Sequence, residues 1–168
     1  MKTSSKAVAC AGLAAALGTL LLLIASIAPS GRLVMMCVAS LGVAFMECLF
    51  GWKWALGTYA VTALLSLLLL PAKAVAIYYA AFFGFYPSFA LLTERIGNKI
   101  VRYLLRLALF NLVMLLLYFA ARVFLPLDQG ALAGYPALLL LAMNAAFLLY
   151  DGALRQGILY LMQIIRRL

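Results

Sequence analysis

The chain has no histidine and only four carboxylates in 168 residues. It therefore lacks the commonest general base and the commonest metal ligand of neutral-pH chemistry. Glu47, Glu94, Asp128 and Asp151 share no local motif, and no glycine-rich phosphate loop, nucleophile elbow, HExxH or Asp-rich metal signature is present. Ser40 and Glu47, seven residues apart, do not make an activated nucleophile with its base. Neither enzyme activity nor a metal or other cofactor is expected.

Cysteine is also scarce. Cys10, Cys37 and Cys48 all fall in apolar runs and form no CxxC pair, so they read as small buried apolar residues and not as a disulfide framework or zinc site. Charged residues make up 10% of the chain and apolar ones 69%, where a soluble domain has about a quarter charged and about half apolar. The solvent for most of this chain must be lipid. A bilayer core about 30 Å thick needs about 20 apolar residues per helix, so this length holds at most six or seven short-looped spans. A net charge of +9 would point to nucleic acid in a soluble protein. Here the basic residues lie between or at the ends of apolar runs, as topology signals and contacts to anionic lipid, and no nucleic-acid partner is expected.

What is present is a series of apolar runs separated by turn clusters. They predict an all-α polytopic membrane protein, one transmembrane domain over 1–168 built as a six-transmembrane-helix bundle, with helices at about 7–28, 33–50, 54–70, 74–93, 100–125 and 135–163. The first run, about 22 residues, is longer than a signal-peptide core and is followed by Pro29, so it reads as a retained span. On it Ala7, Ala11, Ala14 and Gly18 share a face, a small-residue stripe that lets another backbone approach, either within this chain or from a partner. In the second helix Ser40 and Glu47 share a face, and Glu47 is either a functional intramembrane carboxylate or the structural partner of a basic group such as Lys53. Thr58, Thr62 and Ser66 in the third helix are placed to bond back to their own carbonyls.

The fourth helix is the most aromatic. Tyr79, Phe82, Phe83 and Tyr86 share one face, and Gly84 with Pro87 should loosen or kink the helix there. Such a wall is either packing or a ligand surface. The charged run Glu94–Arg106 follows, with Arg102 and Arg106 expected to snorkel to the headgroups. Asn111, Tyr118 and Arg122 form a polar stripe on the fifth helix, and Asn144, Asp151 and Arg155 one on the sixth, with Asp151 and Arg155 spaced to pair. Glu47, Asp151, Arg155, Arg102 and Arg106 are the expected structural charge pairs, with the arginines of the charged run near enough to the inner ends of the second and sixth helices to pair with Glu47 or Asp151.

With six spans, Lys2, Lys6, Lys53, Arg95, Lys99, Arg102, Arg106, Arg155, Arg166 and Arg167 lie on one side and Arg32, Lys73 and Arg122 on the other. Ten basic residues against three place both termini and the Glu94–Arg106 run in the cytoplasm of a bacterium, with the protein multi-pass in its inner membrane.

Six spans in so short a chain, both termini inside, the motif Ala7-xxx-Ala11-xxx-Ala15 and the passage Gly51-Trp52-Lys53-Trp54-Ala55-Leu56-Gly57 together resemble the S components of energy-coupling-factor transporters. The chain is similar, too, to small uncharacterised bacterial membrane proteins of that general fold. The resemblance implies an uptake subunit that binds a vitamin-like small molecule from outside. Its first-helix small residues, Ala7, Ala11 and Ala15, would dock a transmembrane coupling subunit with its ATPases. The lack of histidine argues against the metal-binding branch. The cavity expected on this reading is lined by Tyr79, Tyr86, Asn111, Tyr118 and Asn144, under a lid of the outer connections at 29–32, 70–73 and 126–135. The other expectation is a non-catalytic membrane scaffold that holds partners through its small-residue stripe and basic cytoplasmic surface.

Overall fold

The computed structural model describes the backbone of residues 2–28, 30–124 and 136–165, and the side chains of residues 5–28, 30–120 and 140–163. The expected outer connection at 126–134 and the side chains of Lys2, Arg122, Arg166 and Arg167, which enter the topology count, lie outside the described residues. Among the described residues every regular element is helical: α1 (Lys2–Ile27), α2 (Arg32–Phe50), α3 (Trp52–Leu69), α4 (Lys73–Tyr78), a π segment (Tyr79–Phe83), α5 (Tyr86–Thr93), α6 (Lys99–Phe124) and α7 (Pro136–Ile165). They group into two compact units, Met1–Leu92 with Leu154–Leu168, and Thr93–Ala153.

In the first unit α1, α2 and α3 pack on one another. The turns between them are made by glycine: Gly31 has φ +78° and Gly51 φ +91°, conformations that cost an L side chain dearly. Gly51 donates its N–H to the Glu47 carbonyl at 3.0 Å and accepts from Trp54 and Ala55, so one residue ends α2 and starts α3. Lys73 closes α3 by reaching back with Nζ to the carbonyls of Leu67 (2.7 Å) and Leu68 (3.3 Å).

In lipid no solvent-driven hydrophobic force pushes helices together, so close packing and small residues must do it. The buried positions follow that rule, with Ala7, Ala15, Ala39, Ala44, Ala55 and Ala63 inside. A Cβ on Gly18 would stand 3.2 Å from Thr62 Cγ2, and one on Gly42 would stand 3.7 Å from the Ala14 carbonyl oxygen. The buried hydroxyls satisfy themselves along their helices. Thr58 donates to Trp54 O (3.0 Å), Thr62 to Thr58 O (2.8 Å), Ser66 to Ala63 O (2.8 Å) and Ser40 to Cys37 O (2.6 Å). Large apolar side chains such as Leu13, Leu68 and Leu64 point outward, the inverse of a soluble domain.

In the second unit α6 runs beside the first part of α7. Among the described side chains of α6, only a narrow stripe is buried: Arg102, Arg106 and Phe110. Phe110 stacks on Phe147 of α7 with ring centroids 4.6 Å apart. Among the described residues, five stretches are long and apolar enough to cross a membrane: Ser5–Ile27, Arg32–Phe50, Trp52–Leu69, Lys73–Thr93 and Lys99–Ala120.

The fourth span departs from the continuous kinked helix that the sequence led us to expect over 74–93. It is two short helices joined through a π segment and a turn at Gly84 and Phe85.

Candidate functional site

The break in the fourth span has an identifiable hydrogen-bond logic. In an α-helix the Gly84 N–H would bond to the Ala80 carbonyl. Here it donates to Tyr79 O at 2.8 Å, one residue further back, as in a π turn. The Ala80 carbonyl is thereby released from its helical partner, and the Tyr59 hydroxyl of α3 donates to it at 2.6 Å. Gly84 is required for this arrangement, since a Cβ there would lie 2.5 Å from Tyr59 Cδ2 and 2.9 Å from Tyr79 Cε1. Pro87 adds to it: in an unbroken helix its ring would press on the Phe83 carbonyl and it has no N–H to offer.

Among the described residues, the largest fully buried side chains lie around the break. Tyr79 and Tyr86 have no exposed surface and Phe82 is 1% exposed. The Phe82 ring lies 5.4 Å from Phe83 edge-on and 4.9 Å from Tyr86. The buried Tyr79 hydroxyl stands beside Thr62 without a hydrogen bond of full geometry. Ser88 Oγ is likewise buried with no hydrogen-bond partner among the described residues.

The second unit holds a polar ladder between its two helices. Arg106 donates from Nη1 to both carboxylate oxygens of Asp151 (3.0 and 3.1 Å), from Nε to Thr93 Oγ1 (2.9 Å) and from Nη2 to Glu94 Oε1 (3.1 Å). Arg102 pairs with the other oxygen of Glu94. Two guanidinium and two carboxylate groups thus neutralise one another. Farther along α6, Asn111 and Asn144 exchange amide bonds at 2.9 and 3.3 Å, and each also donates to a carbonyl of its own helix.

This corrects the expectation that Arg102 and Arg106 snorkel outward: they are 8% and 2% exposed. The carboxylates of Glu94 and Asp151 lie within reach, and a neutralised cluster is cheaper to bury than two separate cations. Asp151, expected to pair with Arg155 one turn along or with an arginine of the charged run, faces Arg106 of that run across the helix pair.

The remaining expected site residues are distributed as follows. Tyr79 and Tyr86 belong to the packed aromatic cluster of the first unit. Asn111 and Asn144 face each other in the second, and Tyr118 is 51% exposed with its ring against Phe119. Glu47 is half-buried on α2. Of the expected docking residues, Ala7 and Ala15 are buried within the first unit, and Ala11 packs on the cluster of Val43, Met46 and Ala55. The face of α1 left open is the neighbouring one. There Cys10, Ala14, Leu17 and Gly18, with Ala39 and Gly42 of α2 and Gly157 and Tyr160 of α7, line a groove of about 400 Å³ that is almost wholly apolar.

Sequence reasoning missed Tyr59 and Thr93. Tyr59 acts on a carbonyl 21 residues away, and Thr93 receives an arginine 13 residues away. No local spacing announces either contact, although Gly84 and Pro87 did mark where the helix would give way.

No protein-family model matches this chain, nor does any curated protein or solved structure. Its class rests on its own architecture: among the described residues every regular element is helical and five stretches are long and apolar enough to cross a membrane, the make-up of a multi-pass membrane protein.

Proposed function

We propose that this chain is a six-span bundle of a bacterial cytoplasmic membrane, with α7 as the sixth span and both termini inside. On this reading it is the substrate-binding subunit of a small-molecule uptake transporter of the S-component type. It works by binding and reorientation without covalent chemistry, and a coupling membrane subunit with ATPases supplies the energy. The observation that carries the reading is the break in the fourth span, where the Tyr79 hydroxyl and the Ala80 carbonyl sit in an aromatic surround. Backbone that leaves the helix inside a membrane is tolerated where protein buries it or a cavity meets it, and transporters place their sites at such breaks.

The groove on α1 and α2 supports the partner half of the reading. Its small residues admit the close approach of a foreign helix, so the docking face is Cys10–Ala14–Leu17 in place of Ala7, Ala11 and Ala15. Their burial favours a second reading, a non-catalytic scaffold, because the S-component docking motif is then occupied by internal packing.

Copurification from native membranes in mild detergent separates the two. Recovery of a coupling membrane subunit, an ATPase and a bound small molecule is expected, with the subunits lost on Leu17→Trp, which fills the open groove. Recovery of a stable partner unrelated to transport, with no small molecule, supports the scaffold and overturns the transporter reading.

A further inference from the structure

We infer that the break between α4 and α5 is a hinge and that Tyr59 is its latch. The π segment has given up a helical hydrogen bond at Ala80, and among the described residues the Tyr59 hydroxyl replaces it at 2.6 Å. Gly84 and Phe85 continue as a turn, and Phe89 N–H reaches the Phe85 carbonyl at a long 3.4 Å. Pro87 adds no N–H. Between Tyr79 and Pro87 the α-helical ladder is thus interrupted at the Ala80 carbonyl, at the turn and at the proline, and hinges are short segments of this kind.

The segments on either side are themselves held in place. Val75 and Ala76 of α4 are buried. At the far end of α5, Thr93 accepts a hydrogen bond from Arg106 and Glu94 pairs with Arg102. The hinge lies at residues 79–85, where the Gly84 N–H and the Ala80 carbonyl leave the α-helical ladder. The Tyr59 ring fills the space where Gly84 has no side chain, within 2.5 Å of where a Cβ would stand. Its hydroxyl and its ring consequently engage the same two turns of backbone. The Tyr79 hydroxyl, buried and short of a full hydrogen bond, is a cost carried by the closed form that opening relieves. When Tyr59 withdraws, the Ala80 carbonyl and the Tyr79 hydroxyl are bared together. The hinge stands on these contacts whether or not the transporter reading holds.

Pulsed electron spin resonance on the full chain in lipid nanodiscs tests it. Spin labels go on Leu64→Cys of α3 and Leu92→Cys of α5, both exposed, with Cys10, Cys37 and Cys48 replaced by alanine. Tyr59→Phe, which removes the latch oxygen and keeps the ring, is expected to raise the population of the longer distance about two- to tenfold, the range for one lost hydrogen bond. Tyr103→Phe, at an exposed tyrosine, leaves the distribution as it is. Identical distributions for Tyr59→Phe and the unaltered chain overturn the latch. If Tyr59→Phe does not fold, hydrogen exchange on the unaltered chain decides. Amides of Gly84 and Phe85 that exchange about a hundredfold faster than those of the α3 core support the hinge, and amides that exchange as slowly as that core overturn it.

Discussion

Arg106 and Asp151 meet across α6 and α7 with one guanidinium nitrogen between the two carboxylate oxygens, at 3.0 and 3.1 Å, and both side chains are almost completely buried. Ionised groups within membrane segments are costly unless neutralised, so the two must be kept or lost together. Asp151→Ala should cost about 3–5 kcal/mol, because it leaves two buried guanidinium groups to share Glu94 alone. The double replacement Arg106→Leu with Asp151→Leu should recover most of that, since an apolar pair of similar volume replaces a buried ion pair at little cost. Reversible unfolding in mixed micelles measures both, and a double variant as unstable as the single one would refute this account.

Asn111 and Asn144 supply the next rung of the same interface, and each amide has further bonds to its own helix. Those local bonds soften the loss when one partner goes. A double-mutant cycle with Asn111→Leu and Asn144→Leu should return a coupling of about 0.5–2 kcal/mol. A coupling indistinguishable from zero would mean that the pair aligns the helices without holding them.

The helices were legible because membrane spans announce themselves through run length and because Gly31, Gly51, Pro71 and the 94–99 stretch interrupt those runs. Thr58, Thr62 and Ser66 followed the local bonding that their spacing implied. Contacts set by tertiary proximity were another matter. Spacing along one helix offered Arg155 as a partner of Asp151, and the position of the charged run beside the inner end of the sixth helix offered its arginines. That Arg106, 45 residues distant, is the one that reaches Asp151 is set by the fold. Periodicity placed Ala7, Ala11 and Ala15 on one face without saying whether that face turns inward, and burial shows that it does for Ala7 and Ala15. Gly84 and Pro87 located the weakness in the fourth span. That the chain answers with a π turn depends on Tyr59, which arrives from another helix.

Two glycines of adjoining spans should respond oppositely to the same methyl group. Gly84→Ala drives a Cβ into the rings of Tyr59 and Tyr79 and should destabilise the protein by about 1–3 kcal/mol, the usual cost of overpacking. Gly57 of α3 has nothing within 4 Å of the place a Cβ would take. Gly57→Ala should therefore stabilise by about 0.5–1 kcal/mol through helix propensity alone. Thermal unfolding of the two variants side by side gives the comparison, and equal effects would show that the Tyr59 ring yields freely.

Orientation rests on basic residues at the helix ends, and the structure puts the ones to be probed where a reagent can reach. Lys53, Lys73 and Lys99 are all exposed at helix beginnings. If cytoplasmic basic residues set the topology, single cysteines at these positions in a chain freed of its own three will divide cleanly. In intact cells a membrane-impermeant maleimide should label Lys73→Cys and spare Lys53→Cys and Lys99→Cys until the membrane is opened. Lys73 is the sharpest probe because its ammonium also closes α3 through the Leu67 and Leu68 carbonyls. A parallel Lys73→Met variant therefore shows whether a labelling result reports orientation or a frayed helix end. Labelling of Lys99→Cys from outside would invert the protein.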